Sequence, residues 1–427
     1  MESEVWDMVE VEVCDSIMGS GKSTYIINTL AKSVSGPTII IVEQRSEVDR
    51  YLEGLEGYKT PESIEGGNLT DNFKELLADQ ENIVTTHSLF ENWGNEIGSD
   101  IDFWGYSLIM DEVCSNIFER INIGAEDIQK LMDSGCVAIN NGSKPETVKR
   151  GGVKLPNRYK DLNKAFKTRD IYTLQGNEGE IHTLLSAPML KLINRFEKIT
   201  VFTYLFEGSL LCAYLKLHNI PYSKFSVKDG VMCDYSDDSG AGVAGLITIH
   251  DKQLNFVGER ECSKLWMGKK SNQSKVMKAV RSFMRHSRVD RKYFAWSCHK
   301  DYRDDISHPE FHDKKLQTRI ERGDDVPRNG QTFLAQNIRG VNHFSHKTHM
   351  AYTSNVYINP MVKQFLGAYG IDFDEDKYAL SQLIQWIWRG CIRNGDPLTV
   401  FVPPKRMREL LKEWLGVGGQ ESDLESA

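Results

Sequence analysis

The order of apolar and polar positions along the chain predicts alternating strands and helices. The segment Val9–Cys14 alternates apolar and polar residues, which predicts a strand, and residues 25–32 have the spacing of a helix. The run Thr38–Val42 is short, continuous and β-branched, as in parallel strands that are buried on both faces. Similar patterns predict further strands at residues 82–85, 106–110, 198–202, 292–298, 332–334 and 398–402, and a last helix at 405–415. The patterns therefore predict an α/β protein with mostly parallel sheets flanked by helices.

A glycine loop follows the first predicted strand and leads into the first predicted helix. A strand, a glycine loop and a Gly-Lys-Ser sequence that opens a helix form the setting of a phosphate-binding P-loop. Gly19 and Gly21 would let backbone N–H groups turn toward phosphate oxygens, and Lys22 would reach the β- and γ-phosphates. The predicted nucleotide-binding residues are Ser16, Gly19, Ser20, Gly21, Lys22, Ser23 and Thr24, with the Ser23 hydroxyl also on Mg²⁺. The strict pattern has glycine in place of Ser16, so a glycine-rich turn before an ordinary helix is the alternative.

Two carboxylates end a later apolar strand. Asp111 and Glu112 directly follow the run Tyr106–Met110, and ligands of open α/β sheets bind at the carboxyl ends of strands. Asp111 is predicted to hold Mg²⁺, and Glu112 is predicted to orient and deprotonate an attacking water molecule. The alternative is an ordinary polar strand end in a loop. Together with the P-loop, these residues predict an enzyme that hydrolyses ATP with Mg²⁺.

The composition limits where nucleic acid could bind. The chain of 427 residues has a formal net charge of −8, so binding of nucleic acid would depend on local basic patches. No apolar run reaches the length that spans a membrane, and the start of the chain lacks an apolar signal core. Eight scattered cysteines without a Cys-x-x-Cys pair predict reduced thiols in a cytoplasmic protein. The acidic tail at 416–427 is predicted to be disordered.

Two basic stretches are candidates for such patches. Residues 120–195 are more than a plain domain of this class needs, and they contain glycines, prolines and a basic cluster. We interpret this stretch as a loop-like insertion in or after the first domain, either a flexible basic arm that reaches nucleic acid or a solvated surface. In the second stretch, 264–288, Lys278, Arg281 and Arg285 lie on adjacent turns of a predicted helix. These three residues either contact phosphate groups or form a solvated helix face, and the sequence is compatible with both interpretations.

With the P-loop and the Asp-Glu pair in place, the sequence resembles the superfamily 2 helicases and translocases, the DEAD/DEAH-like group. Within that group the sequence resembles bacteriophage members. A cytoplasmic protein of a bacteriophage would lie in the cytoplasm of its host cell. The resemblance implies two RecA-like domains in one chain, with ATP in the cleft between them. It places the first domain at 1–218, with the P-loop and the Asp-Glu pair, and the second at 219–415, with an arginine motif.

The resemblance also implies residues for nucleic acid and for coupling in the first domain. Thr85, Thr86 and His87 match the segment that contacts the nucleic-acid backbone, although a strand end with a helix cap at Ser88 would look the same. The strand that ends in Thr203-Tyr204 is similar to the segment that couples the two sites, and residues 186–188 are a rival for that role.

In the second domain two segments carry the resemblance. Arg339, Gly340 and Asn342 belong to a segment that lies near nucleotide and strand, with Gly340 close to the nucleotide, or else to a surface turn. Gln385, Arg389 and Arg393 step by four along a predicted helix and would share one face. One or both arginines would act as an arginine finger on the γ-phosphate, and an amphipathic helix with solvated arginines is the alternative.

These features predict a Mg²⁺-dependent ATP hydrolase of the helicase type, which couples hydrolysis to movement along, or remodelling of, nucleic acid. The expected partner is single-stranded or branched nucleic acid, with DNA favoured over RNA, together with other replication or recombination proteins, and the chain is expected to be a monomer. Two other functions stay open. One is a nucleic-acid-binding protein, such as an origin or loading factor, that ATP only switches, and the other is a P-loop kinase acting on a small molecule.

Overall fold

The structure is a computed structural model of the chain. It describes residues 9–63, 68–94, 97, 100–101, 104–114, 116–140, 143–175, 181–237, 239–250, 255–311, 331–336 and 343–417. The chain divides into two compact units, of which the first comprises Met1–Ser236 and Ile358–Asp374 and the second Asp237–Tyr357 and Glu375–Ala427. Within the described ranges no helix has both the length and the apolar character needed to cross a lipid bilayer.

The described residues form strands and helices in both units. The strands are β1 (Val11–Asp15), β2 (Thr38–Val42), β3 (Tyr58–Lys59), β4 (Asn82–Thr86), β5 (Ser107–Asp111), β6 (Glu119–Ile121), β7 (Val137–Asn140), β8 (Thr147–Arg150), β9 (Arg169–Gln175), β10 (Ile181–Pro188), β11 (Lys198–Thr203), β12 (Tyr222–Lys228), β13 (Val231–Asp234), β14 (Ile247–Ile249), β15 (Phe294–Ser297), β16 (His349–Tyr352) and β17 (Leu398–Phe401).

The α-helices are α1 (Lys22–Tyr25), α2 (Ala31–Ser33), α3 (Arg45–Gly54), α4 (Leu69–Ala78), α5 (His87–Phe90), α6 (Ala125–Asp133), α7 (Lys160–Thr168), α8 (Leu190–Ile193), α9 (Leu210–Leu217), α10 (Lys264–Met267), α11 (Lys270–Ser287), α12 (Arg303–Ile306), α13 (Pro360–Ala368), α14 (Glu375–Ile387) and α15 (Lys405–Trp414). A π-helical stretch, Ile26–Leu30, joins α1 to α2. Short 3₁₀ helices occur at Asn157–Tyr159, Phe206–Gly208, Gly240–Leu246, Arg291–Tyr293, Lys300–Tyr302, Pro309–Phe311 and Cys391–Asn394.

An eight-stranded sheet forms the centre of the first unit, in the order β13-β12-β1-β11-β5-β2-β4-β3. Its neighbouring strands are parallel, except that β13 runs antiparallel to β12. All five residues of β2 are buried, as the β-branched run at 38–42 predicts for a strand covered on both faces. Tyr25, Ile26 and Val48, from the helices after β1 and β2, join Ile40 and Ile109 of the sheet in one apolar core. Each such buried side chain contributes roughly 1.5–3 kcal/mol relative to exposure.

The insertion after β5 is a folded layer. It forms a five-stranded antiparallel sheet in the order β6-β10-β9-β8-β7, and α6 and α7 supply Ile128, Leu131 and Leu162 to a core shared with Val148 and Ile171. The prediction of a loop-like, flexible arm is therefore wrong for the described part of this segment. Its glycines and prolines suggested a loop, but the segment forms strands and helices that share an apolar core.

A late segment of the chain returns to the first unit. The ring centroid of Phe365 on α13 lies 5.5 Å from that of Tyr172 and 5.9 Å from that of Phe118. The Tyr369 hydroxyl accepts a hydrogen bond from the backbone N–H of Glu146 at 2.8 Å. Residues 358–374 thus complete the inserted layer, although they lie within the stretch that the sequence assigns to the second domain.

The second unit contains a four-stranded parallel sheet in the order β14-β17-β16-β15. The predicted strands at 292–298 and 398–402 appear as β15 and β17, whereas β14 and β16 were not predicted. The predicted strand at 332–334 is reduced to a single parallel bridge between Trp296 and Phe333. The unit begins at Asp237 and not at 219, because β12 pairs with β1 and belongs to the sheet of the first unit.

Candidate nucleotide-binding site

Three neighbouring strands of the first unit bring the predicted site residues to one edge of the sheet. In the pairing register, Asp15 of β1 lies opposite Thr203 of β11, and Phe202 of β11 lies opposite Asp111 of β5. The P-loop and the Asp-Glu pair therefore leave the sheet at its carboxyl edge, with the end of β11 between them. This is the edge at which ligands bind in parallel α/β sheets.

The P-loop adopts the backbone conformation that its glycines permit. Gly19 and Gly21 have φ angles of 86° and 88°, in the left-handed region that L side chains rarely adopt. A Cβ atom on Gly21 would lie 2.4 Å from the backbone nitrogen of Gly230, so there is no room for a side chain there. Gly230 is in the turn between β12 and β13, and its N–H donates to the carbonyl oxygen of Ser20 at 3.0 Å. The β12–β13 hairpin thus braces the loop from one side.

Ser16 forms hydrogen bonds with the two strands beside it. Its side chain is fully buried, and its hydroxyl accepts a hydrogen bond from the N–H of Val227 at 2.8 Å. Its own N–H donates to the carbonyl oxygen of Thr203 at 3.0 Å. A glycine at this position would lack the bond to β12, which is a structural reason for serine here. Contact of Ser16 with a nucleotide stays a prediction.

Lys22 lies inside the loop, where its charge is held by backbone oxygens. Its Nζ atom donates to the carbonyl of Ser16 at 2.5 Å and to that of Ile17 at 3.3 Å. The Ser20 hydroxyl is buried and has no hydrogen-bond partner among the described residues. A cation and an unsatisfied hydroxyl within a ring of glycine backbone fit the phosphate groups of a nucleotide.

One carboxylate oxygen joins the P-loop helix to two other elements. The Ser23 hydroxyl donates to Oδ2 of Asp111 at 2.8 Å, which brings together the two residues predicted to hold Mg²⁺. The Tyr51 hydroxyl on α3 donates to the same oxygen at 2.6 Å. A hydroxyl and a carboxylate are oxygen ligands of the kind that Mg²⁺ prefers, so the pair fits this ion. Burial raises the pKa of Tyr51 well above its ordinary value and the charge of Asp111 adds to this, so the phenol stays protonated and donates.

Sequence reasoning missed Tyr51. The residue belongs to no motif, and its position three residues after Val48 on the helix that follows β2 indicates only a buried face. Its partner lies on β5, which neighbours β2 in the sheet but comes 60 residues later in the sequence, and a pattern within one helix does not reveal this contact.

Glu112 is held in an unusual conformation beside this pair. Its φ angle is 104°, which is uncommon for a residue other than glycine and indicates local strain. The Glu112 N–H donates to the carbonyl of Phe202 at 3.0 Å, and its Oε1 accepts from the Thr203 hydroxyl at 2.9 Å. Thr203 belongs to the segment predicted to couple the two sites, whereas the rival Ser186–Pro188 lies in the inserted sheet.

The residues predicted to contact nucleic acid lie at the end of β4. Helix α5 begins at His87, so the alternative of a helix cap at Ser88 is wrong. The side chains of Thr85 and His87 are buried, and that of Thr86 is half-buried. Contact with nucleic acid stays a prediction for these three residues. Because the side chains of Thr85 and His87 are buried, the Thr86 hydroxyl and the backbone N–H groups are the most accessible donors of this segment.

The arginine motif of the second unit does not form one helix. Helix α14 ends at Ile387, Arg389 is half-buried in the following turn, and Arg393 is exposed in a 3₁₀ helix. The chain turns at Gly390, where a Cβ atom would lie 2.5 Å from the Met350 sulfur and 3.0 Å from a backbone oxygen. The prediction that Gln385, Arg389 and Arg393 share one helical face is therefore wrong. Their roles at a nucleotide stay predictions, and Arg339, Gly340 and Asn342 lie outside the described residues.

Several residues of the basic stretches make internal bonds. Arg281 and Arg285 on α11 both bind Glu310, at 2.7 and 2.5 Å, and these bonds lower the pKa of Glu310 to about 2. In the inserted layer Arg169 is buried and donates to the backbone oxygens of Asn116 and Ile117 at 2.8 and 2.9 Å. Arg169 is therefore held within the fold, whereas phosphate contact by Arg281 and Arg285 stays a prediction.

Comparison with known proteins extends these observations. Residues 241–415 match the family model described as the YonV C-terminal Rossmann-like domain. The SPbeta prophage-derived uncharacterized protein YonV of Bacillus subtilis (strain 168) is 29% identical over 431 residues, covering 96% of this chain and 99% of that protein.

Solved structures of XPD helicase resemble the chain over nearly its whole length. One has a TM-score of 0.51 at 12% identity, and a second, of the apo form, has 0.50 at 11%; each comparison covers 96% of this chain and 95% of the other. The chain therefore has the α/β fold of these XPD helicase structures, and its likeness to a prophage protein agrees with the predicted resemblance to bacteriophage members.

Proposed function

We propose that this protein is a Mg²⁺-dependent ATP hydrolase of the helicase type that moves along or remodels nucleic acid. The observation that carries the proposal is the 2.8 Å bond between Ser23 and Asp111 beside a glycine loop that contains Lys22. Residues 88 positions apart in sequence thus meet where a P-loop enzyme needs its metal ligands. The helicase-type fold supports the choice of this reaction class.

The residues of the first unit divide the work by their chemistry. Backbone N–H groups around Gly19 and Gly21 bind phosphate oxygens, and Lys22 exchanges its carbonyl partners for the terminal phosphates. Ser23 and Asp111 hold Mg²⁺, which when bound neutralises charge on the phosphate oxygens. Glu112, oriented by Thr203, accepts a proton from the attacking water molecule.

In the second unit we assign charge stabilisation in the transition state to Arg389 or Arg393, with Gln385 in support. Arg389 is the better candidate for a fixed position because it is half-buried, whereas Arg393 is exposed. Thr86 with its neighbours, and Arg339 and Asn342, are assigned to the phosphate backbone of the nucleic acid, with DNA favoured over RNA.

The test is ATP hydrolysis measured with and without single-stranded DNA or RNA. We expect Mg²⁺-dependent release of phosphate that rises with a polynucleotide. We expect Lys22→Ala to abolish this release, because Lys22 is the single lysine or arginine in the loop sequence at 16–24. Lys32→Ala is the matched control, since Lys32 is exposed near the end of the same helical segment and should leave the rate unchanged.

Two results would contradict the proposal. Transfer of the phosphate to an acceptor other than water would indicate a kinase. Tight ATP-dependent binding of nucleic acid without turnover would indicate a binding protein that ATP only switches.

A further inference from the structure

One hydroxyl group from outside the predicted motifs reaches the proposed metal site. Tyr51 is fully buried on α3, and its hydroxyl donates to Oδ2 of Asp111 at 2.6 Å. The Ser23 hydroxyl donates to the same oxygen at 2.8 Å. A single carboxylate oxygen therefore accepts one bond from the P-loop helix and another from the helix after β2.

We infer that Tyr51 is a positioning residue for the metal site, whose hydroxyl orients the Asp111 carboxylate so that Asp111 and Ser23 face the same Mg²⁺ ion. The inference rests on the proposed function and adds to it a residue that does not itself touch the ion. Partners of this kind, which hydrogen-bond a ligating carboxylate, commonly set the affinity of a site for its metal.

The position of the Tyr51 hydroxyl is fixed by the apolar core and not by a ligand. Its ring packs in the cluster that also contains Val48, Val84 and Ile109, so the side chain has little freedom to turn away. Asp111 ends a strand whose other residues are buried, and its carboxylate is only partly covered. A rigid donor on a partly exposed carboxylate reduces the number of orientations that the carboxylate can adopt before a metal arrives.

The two hydroxyl groups on Oδ2 are not equivalent. The Ser23 oxygen can turn its lone pairs toward a cation while its proton still points to Asp111. Tyr51 belongs to another element and would keep its bond when Ser23 engages a metal. If Tyr51 served only to satisfy a buried phenol, its removal would change the stability of the fold and leave the metal requirement unchanged.

The experiment compares Mg²⁺ dependence of nucleotide binding in the full chain. A fluorescent ATP analogue is titrated at fixed free Mg²⁺ concentrations and in EDTA, and thermal melting without nucleotide reports folding. The variants are Tyr51→Phe, which removes only the hydroxyl, and Tyr51→Leu, which removes it with the ring. Tyr106→Phe is the matched control, because Tyr106 is also fully buried in this unit but donates to the backbone oxygens of Leu77 and Glu81.

We expect the free Mg²⁺ needed for half-maximal binding to rise about 10- to 100-fold in both Tyr51 variants. Binding in EDTA should be unchanged, and Tyr106→Phe should behave as the wild type does. The inference would be overturned, and the proposed function left intact, by either of two results. One is a folded Tyr51→Phe variant with the Mg²⁺ requirement of the wild type, and the other is an equal shift in the Tyr106→Phe variant. A wild-type protein that binds no nucleotide under any condition would overturn the proposed function and the inference with it.

Discussion

Glu112 has a backbone conformation that its neighbours must hold in place. A φ angle of 104° costs a non-glycine residue roughly 1–3 kcal/mol, and such strain persists only where surrounding contacts fix it. Here the fixing contacts are the carbonyl of Phe202 and the hydroxyl of Thr203, both at the end of β11. The direction in which the proposed base points is therefore set by the strand next to its own.

Thr203→Val tests this contact, because valine keeps the shape of the buried side chain and removes the bond to Glu112. We expect the rate of ATP hydrolysis to fall about 10- to 100-fold as the carboxylate loses its orientation, with the affinity for Mg²⁺-ATP retained. Single-turnover kinetics and nucleotide binding separate the two effects. Thr200→Val, at a buried position of the same strand, is the control. Equal loss of rate in both variants would show that β11 matters only for stability.

The placement of single residues could be predicted where it is local in sequence. Lys22 and Ser23 follow a strand and a glycine loop, and Asp111 and Glu112 end an apolar run, so the pattern alone indicates their positions. Tyr51 could not be predicted, because its function depends on a partner in another element. The structural use of Ser16 by β12 is hidden for the same reason.

At the scale of elements, helix α11 has a basic pattern whose bonding partner could not be predicted. Lys278, Arg281 and Arg285 follow helical spacing, which suggests a surface for phosphate. Glu310 comes from a 3₁₀ helix 25 residues beyond Arg285 and binds both arginines, so one carboxylate offsets part of their positive charge. Helical periodicity could predict the buried face of α11 but not the carboxylate that meets its polar face.

The Glu310 cluster should make the stability of the second unit depend on pH. In the folded protein the pKa of the Glu310 carboxyl is about 2, whereas its ordinary value is 4.5. Between these two pH values the unfolded chain therefore binds one proton more than the folded protein does. The cluster therefore stabilises the folded protein above pH 4.5, and this stabilisation is lost as the pH falls toward 2. Thermal melting of Glu310→Gln should therefore differ from wild type near neutral pH and converge with it in acid. Glu413→Gln, exposed on α15, should run parallel to wild type throughout.

The inserted sheet and the end of α14 were the least predictable elements. Strand β8 has four residues, and Val148 is its one buried residue. Alternation of apolar and polar residues cannot be recognised over so short a segment. The predicted helix in the arginine motif extends too far, because glycine is tolerated within helices and the close packing of Met350 against Gly390 depends on a distant part of the chain.

At the scale of the whole molecule, the chain enters each unit twice. It leaves the first unit after Ser236 and returns at Ile358, and α13 then packs on the inserted layer. The resemblance implied two α/β domains but placed the boundary at 218, because nothing within 219–236 or 358–374 indicates a partner that is distant in sequence.

Phe365→Ala tests the importance of this return. Removing a buried ring that contacts Phe118 and Tyr172 should lower the free energy of unfolding of the first unit by about 3–5 kcal/mol. Tyr369→Phe should cost only about 1 kcal/mol, since it removes one hydrogen bond to the backbone of Glu146. Chemical denaturation measures both values. A small effect of Phe365→Ala would mean that the inserted layer is stable without α13.

The route of the chain has a consequence for its biosynthesis. Phe118 and Tyr172 leave the ribosome early, whereas the helix that covers them is made only after much of the second unit. Throughout that interval the nascent inserted layer exposes the faces of Phe118 and Tyr172 that Phe365 later covers. Slow translation between residues 236 and 358 should therefore increase the binding of chaperones to the nascent chain, and completion of α13 should end it.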